Sequence, residues 1–209
     1  MISLFLDTCN HDIVIGLLKD NKLISSNIFS NDNNLSERLL PSIKRLLDEN
    51  KINIKELNKI FISVGPGSFT GIRIGVTVAK TIAWSLKIDI IPISSLEIIA
   101  STNTDSNYIC SLVDARRGYV YGGLYDNDLN PIFNDKYIKL DELLSIINTS
   151  YQNVEFISYE PLFDRIKKPN INIEKIVNKH INDESINPHS VNPIYLKKTE
   201  AEEKHDQRN

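Results

Sequence analysis

The chain reads as an α/β protein of two related lobes, each a mixed sheet with helices packed on it. Three observations predict this. The first hundred residues run strand, strand, strand, helix, strand, helix, strand, an order that lays helices on the faces of a mixed sheet. A similar order restarts near Tyr108. Hydrophobic residues make up 41% of the 209, a share that lets a chain of this length bury a core of its own.

The elements follow in order. Ile2 to Asp7, Ile13 to Leu18 and Leu23 to Phe29 are strand-like, separated by polar turns at Thr8 to Asp12 and Lys19 to Lys22, which predicts an antiparallel meander. From Leu35 to Leu47 the apolar positions Leu35, Leu39, Leu40, Ile43, Leu46 and Leu47 recur at helical spacing, with Glu37, Lys44 and Asp48 off the stripe. Pro41 falls early in this helix, where a missing donor costs less than at mid-helix, and predicts a kink. Lys59 to Val64 reads as a buried strand, Gly65 to Thr70 as a tight loop, Gly71 to Leu86 as a second helix and Asp89 to Pro92 as a short strand. In the second half, Tyr108 to Asp114, Val120 to Tyr125, Tyr137 to Lys139 and Val154 to Ser158 read as strands, with helices at Leu140 to Ile147 and Ile173 to His180. The expected organisation is a first lobe over 1–103, a smaller second lobe over 104–198, and a disordered tail over 199–209, which is polar apart from Ala201.

Charge and cysteine content narrow the function classes. The net charge is −3, from 24 basic and 27 acidic residues, so tight direct nucleic-acid binding is disfavoured. Cys9 and Cys110 each sit in an apolar run and read as buried small hydrophobes in a reducing compartment. The start, Met1 to Asp7, lacks a basic leader, and no apolar stretch reaches the ~18 residues of a membrane helix, so a cytoplasmic protein away from the membrane is expected.

The most informative stretch is Gly65-Pro66-Gly67-Ser68-Phe69-Thr70-Gly71-Ile72-Arg73-Ile74-Gly75. A strand that enters a glycine-rich turn and then a helix can aim backbone amides at a phosphate. This one is no P-loop, since no Lys-Ser or Lys-Thr follows its last glycine, and it lacks the dinucleotide glycine spacing. As a structural turn, Gly65 and Gly67 would flank Pro66, Thr70 would cap the helix and Gly71 would allow close packing. Ser68 lies in no G-x-S-x-G elbow, and the four histidines show no paired spacing for a metal, so neither a hydrolase triad nor a metal centre is expected. Asp114, Arg116 and Arg117 offer either an anion or partner site at a strand end or an ion pair closing a hairpin.

Gly65 to Gly75 resembles the GPGSFTGxRIG segment of the TsaB (YeaZ) family, relatives of the catalytic TsaD proteins. Leu6-Asp7-Thr8, Asp114 to Gly118 with Val120-Tyr121, and Pro193 to Lys197 resemble the family in the same order, so the likeness spans most of the chain. The resemblance implies the two-lobed fold of actin, sugar kinases and Hsp70, and a non-catalytic, dimerisation subunit for tRNA threonylcarbamoyladenosine formation. Its implied partners are a TsaD-type catalytic subunit, a TsaE-type ATPase and, when alone, a second copy, with tRNA reached only indirectly. No cofactor, metal or catalytic residue is implied. Asp7, Gly67 and Ser68 are the candidates for a vestigial nucleotide site, and a small ATP-dependent kinase of the same fold is the rival reading. Leu35 and Tyr119 stand where many members carry histidine and glutamate, so no role transfers at either position.

Helix Gly71 to Leu86 is apolar on more than one face. Gly71, Gly75, Ala79 and Ala83 form a strip of small residues, and Ile74, Val78 and Ile82 run beside it. One face can meet its own sheet, and the other must be covered by the first helix, by a partner or by both. The candidate interface residues are Leu39, Ile43, Ile74, Gly75, Val78 and Ile82.

Overall fold

A computed structural model describes residues 1–30 and 34–197. The expected 199–209 tail lies outside the described residues. The elements in chain order are β1 (Ile2–Asp7), β2 (Asp12–Lys19), β3 (Lys22–Ser30), α1 (Leu35–Glu49), β4 (Leu57–Ser63), α2 (Phe69–Leu86), β5 (Asp89–Ile93), α3 (Ser95–Ala100), β6 (Tyr108–Asp114), β7 (Tyr119–Asp126), β8 (Pro131–Lys139), α4 (Leu140–Ser150), β9 (Val154–Ile157), β10 (Ile166–Lys167) and α5 (Ile173–His180). They form two five-stranded sheets, ordered β3-β2-β1-β4-β5 and β10-β9-β6-β7-β8. In each, three antiparallel strands are followed by two parallel ones, so the second sheet repeats the first strand for strand. This is the two-lobed, actin-like α/β architecture, with α1 and α4 in corresponding places between the third and fourth strands.

The meander forms because β2 and β3 meet through a two-residue turn, with Asp20 and Asn21 both at positive φ. That backbone matches the twist of the flanking strands, and short polar residues tolerate it best. One face of the first sheet buries Leu4, Leu6, Ile13, Ile15, Ile60 and Ile62 beneath α1 and α2. The opposite face presents Phe5, Val14, Leu18, Phe61 and Ile91 to α3 and α5, and the same cluster takes in Ile109, Val113 and Tyr125 of the second sheet. The lobes therefore share a core. The outer face of the second sheet packs Cys110, Leu112, Val120 and Leu124 on Leu143 and Ile147 of α4.

Several expectations are corrected. Ser68, not Thr70, caps α2: its side-chain oxygen accepts from the Gly71 amide at 3.2 Å, and the helix begins at Phe69. Helix α3 is absent from the sequence reading because its six residues are too few to show a period and nearly all are buried. Strand β8 spans nine residues rather than Tyr137 to Lys139, because an edge strand carrying Asn134, Asp135 and Lys136 shows little apolar alternation. The stretch 173–194 also makes contacts with the first sheet. Ile173, Ile176 and Val177 pack with Val14 and Leu18, Val191 enters the core under α2, and the Ile194 amide donates to the Val64 carbonyl at 2.8 Å.

Candidate functional site

Asp7 ends β1 and is fully buried. The Cys9 amide donates to its Oδ1 at 2.9 Å, and the Asn10 amide nitrogen donates to its Oδ2 at 3.3 Å. Burial pushes the Asp7 carboxyl above its ordinary range, with these bonds pulling it part of the way back. Cys9 is equally enclosed. Its sulfur accepts from the Ser63 hydroxyl at 2.9 Å, and burial, then the Asp7 charge, raises its thiol far from the thiolate form. Both oxygens of Asp7 are thus occupied in holding the turn that follows β1.

The glycine-rich loop lies against this turn. The Ser68 amide donates to the Cys9 carbonyl at 2.7 Å, and a Cβ on Gly67 would stand 2.2 Å from that carbonyl oxygen. The Ser95 hydroxyl donates to the Pro66 carbonyl, and the Ser95 amide to the Gly65 carbonyl at 3.0 Å. One turn into α2, a Cβ on Gly75 would fall 2.1 Å from Thr8 Oγ1, while that hydroxyl donates to the Gly71 carbonyl at 2.7 Å. The structure therefore brings Asp7, Gly67 and Ser68 together, but Gly67 and Ser68 join loop to strand and cap a helix. Among the described residues no group of three His, Cys, Asp or Glu side chains is placed to hold a metal ion.

The six interface candidates divide by burial. Leu39, Ile43, Gly75 and Ile82 are buried within their own lobe, whereas Ile74 and Val78 pack on that core from half-exposed positions. The small-residue strip Gly71, Gly75, Ala79 and Ala83 is buried too, so close approach serves α2 against its own sheet, not a partner. What remains open is a groove of about 600 Å³ with Ile43, Leu47 and Ile82 along it and Leu40, Lys44 and Ile54 among its other walls. Leu40 is 52% exposed. Sequence spacing put Leu40 on the apolar stripe of α1 without distinguishing it from its buried neighbours.

Asp114 and Arg116 form the hairpin ion pair, with Arg116 Nη1 3.2 Å from Asp114 Oδ2 and the Arg116 amide bonded to Oδ1 at 2.8 Å. Arg116 and Arg117 both take positive φ in the β6–β7 turn. A polar cluster that the sequence did not reveal sits at the junction of the lobes. Tyr125 donates to Asp135 Oδ1 at 2.5 Å, Ser94 bonds Oδ2, and His180 bridges Glu97 at 2.8 Å and Asp183 at 2.7 Å. Its members come from α3, β7, β8 and the end of α5, so no spacing links them.

A family model for TsaD, tRNA N6-adenosine threonylcarbamoyltransferase, matches residues 22–180. A Bacillus subtilis (strain 168) protein named tRNA threonylcarbamoyladenosine biosynthesis protein TsaB is 37% identical over 164 residues, which covers 77% of this chain and 72% of the relative. The chain belongs to the TsaB/YeaZ family. The TsaB of Escherichia coli (strain K12) is 30% identical over 102 residues, 47% of this chain and 44% of that protein. YeaZ from Pseudomonas aeruginosa superposes with a TM-score of 0.78 at 20% identity, covering 93% of this chain and 99% of that one, a likeness of fold. The glycine-rich segment through which the sequence resembles TsaB/YeaZ proteins is, in this member, the joint between β1 and α2.

Proposed function

We propose that the chain acts in tRNA threonylcarbamoyladenosine biosynthesis as a non-catalytic subunit that binds and supports a TsaD-type threonylcarbamoyltransferase, with a TsaE-type ATPase joining the assembly. The observation that carries the reading is the apolar groove walled by α1 and the 52–54 segment, with Ile82 of α2 at its side and the exposed Leu40 on its wall. Apolar anchors in such a groove suit a partner that lays a helix across it. A related lobe offers matching helices, so a second copy of this chain would use the same surface when the transferase is absent, and the two associations exclude each other. The enclosure of Asp7 and the capping role of Ser68 support a subunit that contributes no reacting group.

The test is threonylcarbamoyl transfer to tRNA with purified TsaD-type and TsaE-type proteins, omitting one component at a time. Transfer is expected to collapse without this chain and to survive Asp7→Asn, which keeps the shape of the buried side chain. Transfer that continues unchanged in its absence would overturn the reading, and loss of transfer by a folded Asp7→Asn chain would make it a catalyst.

A further inference from the structure

We infer that the rim joining the two lobes is a stacking platform for single-stranded nucleic acid, with RNA as the ligand expected from the names of the relatives. Four rings and three cations line it. At the start of α2, Phe69 is 54% exposed, and its ring lies 5.3 Å from that of Tyr195, itself 44% exposed. One turn on, the Arg73 guanidinium lies 3.7 Å from the Phe69 centroid and 5.8 Å from that of Tyr195, and its Nε donates to the Tyr195 hydroxyl at 2.8 Å. Two residues beyond Tyr195, the Lys197 ammonium lies 5.5 Å from the ring of Tyr137. Tyr137 stacks on Tyr119 at 4.7 Å with 9° between the planes. Lys139 pairs with Tyr119 across the β7–β8 ladder, on the same side of the sheet.

The fold does not account for this row. None of the four rings belongs to a hydrophobic core cluster among the described residues. No carboxylate among the described residues forms an ion pair with Arg73, Lys139 or Lys197. Rings alternating with cations suit a strand whose bases stack and whose phosphates need counter-charge. A duplex keeps its bases stacked inside and cannot use such rings. The net charge of −3 opposes tight binding by the whole surface but not a local site of a few contacts. The inference does not rest on the partner reading, because the platform lies on this chain alone.

The test uses the full chain without partners and a fluorescent single-stranded RNA of about ten nucleotides, within the usual span of such sites, with the duplex of the same sequence for comparison. Anisotropy should show binding to the single strand that weakens with salt, and weaker binding to the duplex. Tyr195→Leu should raise Kd by roughly 5- to 100-fold, one lost stacking contact. Lys197→Gln, with melting followed alongside, should flatten the salt slope by about 0.7, while Lys167→Gln should change neither. No binding, preference for the duplex, or binding unaffected by both rim variants would overturn the inference. Capture of a TsaD-type protein by the same variants separates the two readings: if they lose that partner but bind RNA as the wild type does, the rim is a protein surface and the inference fails.

Discussion

Gly75 shows how one missing side chain sets the position of a helix. Helix α2 approaches the end of β1 so closely that a Cβ at Gly75 would stand 2.1 Å from Thr8 Oγ1 and 3.1 Å from Thr8 Cβ. Thr8 is bonded to the Gly71 carbonyl and fully buried, so it cannot rotate away without losing that bond. Gly75→Ala should therefore destabilise by about 1–3 kcal/mol, the usual cost of overpacking a filled site, as measured by urea denaturation. Thr8→Ala costs stability on its own, but it removes the clashing atoms, so the double variant should lose less than the sum of the two. Additive losses would show that α2 shifts as a unit and that the Thr8 contact is not what fixes it. The sequence marked Gly75 as special, but it assigned the small residue to a partner. A strip of small residues records close approach, not what approaches.

Among the elements, those with a strong period were legible: β1 to β3, α1, β4, α2 and α4 all appear where alternation or helical spacing places them. Helix α3 was not legible, although it carries the polar junction between the lobes. Ser94 and Glu97 flank its first turn, and His180, at the end of α5, reaches Glu97 and Asp183 with its two ring nitrogens. Bonded partners here are separated by up to 83 residues of chain, so only the fold could reveal them. Both ring nitrogens face carboxylates, which favours the imidazolium. Burial pulls His180 down, but the bonds to Glu97 and Asp183 outweigh it, and its pKa is raised above 6.5. A raised folded value means that the stabilisation is complete below about 6.5, the unfolded histidine value, and is lost as pH rises through the folded one. The other charged neighbour, Asp135, faces Glu97, and burial raises its pKa too, so it also disfavours high pH. The stability gap between wild type and His180→Gln, on the order of 1–3 kcal/mol at acid pH, should therefore shrink toward alkaline pH. Melting followed at both ends of that range checks this, and a gap independent of pH would remove the charged bridge.

Across the whole molecule, a shared core joins the lobes while the α1–α2 side stays open, so one surface variant can report on association without touching the fold. Val78 is one of the interface candidates that the sequence offers. Val78 packs on the core from a half-exposed position, so Val78→Arg disturbs both the lobe and any partner, and a loss of binding by that variant alone would be ambiguous. Leu40 separates the two effects. It lies one position from the buried Leu39, contributes nothing to the core cluster, and borders the groove beside Lys44. Leu40→Arg should keep the wild-type melting temperature to within a few degrees, as surface substitutions away from special features usually do. Placing a charge in the groove should weaken both self-association and capture of a TsaD-type partner by at least tenfold, because burying an unpaired charge costs more than the about 1.4 kcal/mol that a tenfold change represents. Val78→Arg should show the same loss together with a lower melting temperature. Sedimentation, partner capture and melting of the pair decide the matter: a stable Leu40→Arg chain that still dimerises and still binds would move the partner surface away from the α1–α2 groove, whatever Val78→Arg does.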